Sequence, residues 1–195
     1  MKVITIDREY AAGGHSVGRA VAQKLGVEIY DKDIIKHAAQ QSGIDPDLVV
    51  TDEERISKVG AFLKAISPIS YDDKDTIFTF ESKVICELAS KGTCVVLGRC
   101  GKEILEEAGF EVLSVFLHAP EDVRVQRATK LLETDEANAR HELRRMDVMR
   151  QSYLSYYVNR KQWLDAREYT LSLDTSALSV EACADIICKA FADMQ

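Results

Sequence analysis

The sequence predicts a three-layer α/β/α fold built on a parallel sheet. Three observations point there. Short apolar runs recur along the chain, at Val3–Ile6, Val27–Tyr30, Cys94–Leu97, Val112–His118 and Tyr169–Leu173. Longer stretches with helical periodicity separate them, as parallel strands require. Composition is that of a folded domain: 46% of the 195 residues are hydrophobic and 29% charged, which excludes the disordered and low-complexity classes. The length favours one domain, residues 1–195.

The elements follow in order. Val3-Ile4-Thr5-Ile6 is β-branched and reads as a buried strand. After a glycine-bearing turn, Ser16 to Lys24 is predicted helical, with Val17, Val21 and Leu25 on one face and Gly26 as the stop. Val27 to Tyr30 is a second strand, and Asp31 could cap a helix with Ile34, Ile35, Ala38 and Ala39 on its apolar face. Residues 45–75 read as a helical insertion that closes in the polar turn Tyr71-Asp72-Asp73-Lys74-Asp75. Phe78 to Ser90 is a helix with Phe78, Ser82, Ile85 and Ala89 on one side. Cys94–Leu97 and Val112–His118 are strands. Glu121 to about Leu164 reads as helical and rich in both charge signs; Tyr169–Leu173 is the last strand and Val180–Met194 the last helix.

Charge and cysteine usage narrow the function. A formal net charge of -7 argues against nucleic-acid binding, which needs clustered cations. No apolar run approaches a membrane span, and the N-terminal run meets Asp7 too early for a signal peptide. The five cysteines contain no CxxC and sit mostly in apolar runs, as buried reduced thiols of a cytoplasmic protein do. The four histidines are scattered and give no metal signature.

In a parallel sheet, ligands bind beyond the carboxyl ends of the strands. The first such segment runs from Asp7 through Ala11, Ala12, Gly13, Gly14, His15 and Ser16 into the first helix. Backbone N–H groups there can form an anion-binding nest on a helix N-terminus, and the Ser16 hydroxyl can reach Mg²⁺. Against the phosphate-loop motif GxxxxGK(S/T), the first glycine position holds Arg8 and the lysine position holds Gly14. A plain structural turn is the competing reading of these glycines.

Over most of its length the chain resembles the cytidylate kinase-like family within the P-loop nucleoside monophosphate kinases. The resemblance rests on Ile6-Asp7-Arg8-Glu9-Tyr10, Gly13-Gly14, Leu25-Gly26 and Tyr30-Asp31-Lys32. It continues through Val96-Leu97-Gly98-Arg99-Cys100 and Phe116-Leu117-His118-Ala119-Pro120 with Arg124 and Arg127. Asp147, Arg150, Tyr153, Tyr157, Trp163 and Leu173-Asp174-Thr175-Ser176 with Leu178 complete it. It implies a nucleoside monophosphate kinase-like fold, with an acceptor-binding insertion at about 45–75 and a lid at about 135–160.

The resemblance also implies roles. Arg8, Ala12, Gly13, Gly14, His15 and Ser16 would bind the phosphates of ATP, with Ser16 on Mg²⁺ and Arg8 or His15 replacing part of the lost lysine charge. Asp31, Lys32 and Arg99 would hold the acceptor; Cys100 stands where cytidylate kinases carry an aspartate. Arg145 and Arg150 would close over the transferring phosphoryl group. Each has a bland alternative: Asp31 as a helix cap, Arg99 paired to a carboxylate, the arginines of the lid in surface salt bridges. The aromatic stripe Tyr153, Tyr156, Tyr157 and Trp163 reads more readily as core than as a stacking platform.

The function expected is transfer of the ATP γ-phosphoryl group to a small acceptor such as CMP. Two alternatives stand beside it: a catalytically silent nucleotide sensor, and a kinase for a non-nucleotide acceptor on the same fold. An apolar face on the helices of residues 45–66 would point to a homodimer.

Overall fold

The computed structural model describes residues 1–31, 73–158 and 163–194. In chain order these form β1 (Lys2–Arg8), α1 (Gly14–Leu25), β2 (Glu28–Tyr30), α2 (Asp73–Ser90), β3 (Cys94–Leu97) and α3 (Gly101–Glu107). Then come β4 (Glu111–His118), α4 (Glu121–Leu132), α5 (Glu136–Val158), β5 (Leu171–Asp174) and α6 (Val180–Asp193). The five strands lie in the order β2-β3-β1-β4-β5 and every pairing is parallel.

Side-chain alternation along β1 divides the core. Ile4 and Ile6 face α1 and α6, packing with Val17, Val21, Leu97, Val115, Leu117 and Ile187. Val3 faces the other side, where Ile85 and Leu88 of α2, Leu105 of α3, Phe116, Leu154 and Trp163 close the second layer. Strands covered on both faces must be apolar throughout, which is why these runs do not alternate with polar residues. Gly18 lets α1 lie close to the sheet: a Cβ there would come within 2.9 Å of both Ile29 Cδ1 and Leu97 Cδ2. A smaller cluster of Val125, Ala128, Ala139 and Leu143 joins α4 to α5 and is covered by Tyr10 and Ala11.

β1 is central, with β3 on one side and β4 on the other. The chain leaves β1, skips a position to β2, returns through β3 and continues on the far side. The carboxyl end of β1 is therefore the switch point at which such sheets open a crevice.

The predicted strands and helices within the described residues are present in order, with one unpredicted helix, α3 (Gly101–Glu107), between β3 and β4, and with three corrections. The stretch Asp73–Asp75, read as part of a turn, belongs to α2. The expected single helix from Glu121 is two helices, broken where Glu133 takes a left-handed φ of 52°. Asp135 restarts the chain by accepting the Asn138 N–H at 2.9 Å, so Thr134-Asp135 followed by Asn138 was the available capping signal. The last strand begins at Leu171 instead of Tyr169, because Tyr169 turns into the core and donates its hydroxyl to the Trp163 carbonyl at 2.9 Å. The helix expected after Asp31 and most of the 45–75 insertion lie outside the described residues. Among the described residues, no helix is long and apolar enough to cross a membrane.

Candidate functional site

A cleft of about 670 Å³ opens at the carboxyl end of β1. One wall is the loop from Arg8 to Gly14 with the start of α1; the opposite wall is Arg127, Leu131 and residues 175–180. Arg150 of α5 reaches in from the side.

The loop is shaped by two left-handed residues, Ala11 at φ 58° and Gly13 at φ 78°. Gly13 caps α1 and its carbonyl accepts the Val17 N–H at 3.0 Å. The N–H groups that open a helix have no intrahelical partner by geometry, and here the residues that carry them, Gly14, His15 and Ser16, line the cleft. No acidic residue lies in the first turn of α1, so the positive helix end is uncompensated there.

A buried arginine fixes this loop. Arg124, 6% exposed, contacts Glu9 Oε1 at 3.1 Å and Asp147 Oδ2 at 2.6 Å. It also donates to the carbonyls of Ala119 at 3.0 Å and Tyr10 at 3.3 Å. Glu9 accepts the Ala119 N–H at 3.2 Å, and Asp147 accepts the Tyr10 N–H at 2.7 Å. Three elements (the loop after β1, the end of β4 and helix α5) meet on one guanidinium. Burial pushes the Glu9 carboxyl above its ordinary range, against the pull of the Ala119 N–H and of Arg124.

Two further arginines flank the loop. Arg8 lays its stem across Gly14, where a Cβ would stand 2.7 Å from Arg8 Cγ, and its guanidinium passes against Gly98. Its head lies 3.8 Å from Asp31 at the end of β2. Arg150 donates to the Arg8 carbonyl at 2.9 Å and sits 5.6 Å from the centre of the Tyr10 ring. Burial, reinforced by the charge of Arg8, lowers the Arg150 pKa to about 10, so it still carries its charge at neutral pH. Burial lowers Arg8 too, although Asp31 and Asp7 oppose it. The site thus holds two partly desolvated cations beside a helix N-terminus, an arrangement that favours an anion.

At the end of β3, Gly98, Arg99 and Cys100 are all left-handed, at φ 68°, 60° and 53°. This turn aims Arg99 at Glu81 of α2, 3.2 Å away. Glu81 is 2% exposed and also accepts the Tyr153 hydroxyl at 2.6 Å. Burial and the adjacent Glu81 carboxylate drive the Tyr153 hydroxyl far above its ordinary range, so it remains a donor. On the far wall, Arg127 grips Thr175, donating to its hydroxyl at 2.9 Å and its carbonyl at 2.6 Å.

The sequence profile of the cytidylate kinase-like family matches residues 3–177. The chain belongs to that family. Among solved structures it is similar to an uncharacterized protein from Eubacterium ventriosum, with a TM-score of 0.75 and 24% identity over 100% of both chains. It is also similar to a shikimate kinase from Acinetobacter baumannii, at TM-score 0.52 and 18% identity over 97% of this chain and 92% of that one. A shikimate kinase from Bacteroides thetaiotaomicron gives TM-score 0.55 and 13% identity, over 97% and 98%. No curated protein sequence matches. At these identities the structural likeness concerns the fold, which is that of the P-loop kinases.

Within this cytidylate kinase-like chain, Arg8, Gly13, Gly14, His15, Ser16 and Arg150 line one cleft. Ala12 is fully buried beneath the loop. His15 faces Asp31, with Nδ1 3.1 Å from Oδ2. Asp31 and Arg99 lie toward the β2 and β3 ends, on the Arg8 side of the cleft, and Lys32 falls outside the described residues. Arg145 is exposed on α5, clamped to Glu142 at 2.6 Å, and does not line the cleft. Arg140 and Arg144 both pair with Glu121, as the salt-bridge reading expects. Tyr153 and Tyr157 pack on Phe78 and Trp163 packs on Phe116, so the aromatic stripe is largely core.

Sequence reasoning missed Glu81 and gave Arg124 no task. Glu81 had a visible signal. It falls with Phe78, Ile85 and Leu88 on the apolar stripe of α2, where a lone carboxylate needs a partner. Arg124 had none, because its partners Glu9 and Asp147 are remote in sequence.

Proposed function

We propose that this protein is an ATP-dependent phosphotransferase that passes the γ-phosphoryl group to a small acceptor, with CMP the first to try. The observation that carries the reading is that Arg8 and Arg150 line one cleft with the start of α1 and the loop after β1, Arg150 donating to the Arg8 carbonyl. Triphosphate would lie along the amides of Gly13 to Ser16, and its charge would relieve the mutual repulsion of the two guanidinium groups. The nucleoside would occupy the wall formed by Arg127, Leu131 and residues 175–180.

An acceptor oxygen attacks the γ-phosphorus in line, the bond to the β-phosphate oxygen breaks, and its electron pair leaves with ADP. This chain contributes position and charge: the loop amides hold the donor, and Arg150 balances charge on the equatorial oxygens. Ser16 offers a lone hydroxyl at the helix start, which suits Mg²⁺, an ion that takes few protein oxygens and fills its shell with phosphates and water. When bound, Mg²⁺ would neutralise charge between the β- and γ-phosphates.

A non-nucleotide acceptor is favoured by one observation. Arg99, the residue suited to an acceptor phosphate, is already engaged by the buried Glu81 carboxylate. An acceptor monophosphate would share that guanidinium with a fixed negative charge. The similar solved structures include shikimate kinases and a gluconokinase from Sinorhizobium meliloti, so hydroxyl-bearing acids belong in the screen.

The test is calorimetry of the purified protein with ATP and Mg²⁺, followed by coupled ADP release against nucleoside monophosphates, shikimate and gluconate. Acceptor-dependent turnover supports the proposal. Binding without turnover on any acceptor supports the silent sensor. No binding of any nucleoside triphosphate overturns both.

A further inference from the structure

We infer that Arg8 supplies, from across the loop, the cation that the phosphate-loop motif ordinarily places on its lysine, and that Arg8 and Gly14 are two halves of one exchange. This inference rests on the phosphotransfer reading above and identifies a donor-binding residue within it.

Space is the first argument. The Arg8 stem occupies the volume into which a side chain at position 14 would grow: a Cβ there meets Cγ, Cδ and Cβ of Arg8 at 2.7, 3.0 and 3.3 Å. Those atoms are the inner stem, not a free end, and the guanidinium fills the space that a side chain at Gly98 would take. A lysine at position 14 and an arginine at position 8 cannot share this loop. The glycine at the lysine position is therefore the condition for the arginine, not a loss of function by itself.

Place is the second. Arg8 is the last residue of β1 and lines the cleft together with Gly13, Gly14 and Ser16. Its head lies between the ends of β1, β2 and β3, touching Gly98 and 3.8 Å from Asp31. That is the junction between the triphosphate loop and the acceptor side, where the transferring group must pass. At 3.8 Å the contact with Asp31 is a loose ion pair, short of hydrogen-bond distance, so the guanidinium keeps donors for phosphate oxygens.

Chemistry is the third. A guanidinium stays charged at any working pH and offers paired parallel donors to phosphate, which an ammonium does not. His15 is the rival cation. Its side chain is 51% exposed and its ring already faces Asp31.

The experiment is isothermal calorimetry of full-length variants with ATP plus Mg²⁺ and, as a base-free probe, with tripolyphosphate. Arg8→Met should weaken both ligands about tenfold or more, the loss of one charge-assisted contact. Gly14→Lys should also weaken both, because the two side chains collide. The double variant Arg8→Gly with Gly14→Lys should recover binding to within about threefold of wild type. Thermal melts report whether each variant folds, and Arg8→Gln, which removes the charge but keeps a polar stem, replaces Arg8→Met with the same expected loss if that variant does not. Wild-type binding that survives in Arg8→Met, a double variant weaker than both singles, or a larger loss in His15→Ala would each overturn the inference while leaving the phosphotransfer reading intact. A wild-type protein that binds neither probe overturns both.

Discussion

Arg124→Met is the sharpest test of how the site is held. Methionine keeps most of the side-chain volume but leaves Glu9 and Asp147, 13% and 18% exposed, facing each other without a cation. Breaking a buried ion cluster by removing one partner costs about 3–5 kcal/mol. The carboxylates are not abandoned, since Glu9 keeps the Ala119 N–H and Asp147 keeps the Tyr10 N–H. We therefore expect the low end, about 3 kcal/mol, which for a chain of 195 residues lowers the melting temperature by about 7 °C. Urea denaturation with unchanged m-value would measure it.

The same variant has a pH signature. Burial already raises Glu9 above its ordinary pKa, and Arg124 opposes that rise. Without Arg124 the folded-state pKa climbs further above the unfolded one. Folded protein then binds a proton more readily than unfolded, so stability falls as pH rises through that interval and is recovered on acidification. The deficit against wild type should narrow between about pH 7 and about pH 5. A deficit below about 1 kcal/mol, or one flat over that range, would refute the claim that uncompensated carboxylates are its source.

Four further outcomes follow from the structure. Arg99→Ala strands the 2%-exposed Glu81 and should cost about 3 kcal/mol by urea denaturation, whereas Tyr153→Phe, which removes one 2.6 Å hydrogen bond, should cost about 1–3 kcal/mol. Gly18→Ala should cost about 1–3 kcal/mol in the same assay, because the new methyl meets Ile29 and Leu97 at 2.9 Å. Ser179→Ala removes the 3.1 Å cap on the Ala182 N–H and should lower stability by about 1 kcal/mol, read as a shift of the thermal midpoint.

The parts of this protein legible in its sequence are those fixed by local pattern. β1 could be read because Val3-Ile4-Thr5-Ile6 is buried on both faces and β-branched, and α1 because Val17 and Val21 share a face that ends at Gly26. The break after Leu132 was harder, since Glu133 takes a left-handed conformation that its residue type does not announce. The glycine-bearing loop after β1 could be located from its glycines and its place after a strand. How the loop is held could not be, because Glu9 meets Arg124 and Tyr10 meets Asp147 across more than a hundred residues. Nothing in the local chemistry of either partner names the other.

Those remote contacts change what α5 does. Asp147 and Arg150 are three residues apart and so share a helix face. Asp147 accepts the Tyr10 N–H and Arg150 donates to the Arg8 carbonyl, so one turn of α5 grips the loop on either side of Glu9. Arg145, two residues ahead of Asp147, projects from a different side and is spent on Glu142. The two arginines are thus not equivalent. Arg150 reaches the cleft through contacts that also shape the loop, whereas Arg145 must exchange Glu142 for a phosphate before it can act. If both serve transfer, substitution at Arg150 perturbs donor binding and turnover together, and substitution at Arg145 falls on turnover alone. The sequence treated the pair alike because both flank Asp147; the direction of Asp147, toward Arg124 and Tyr10, is what separates them.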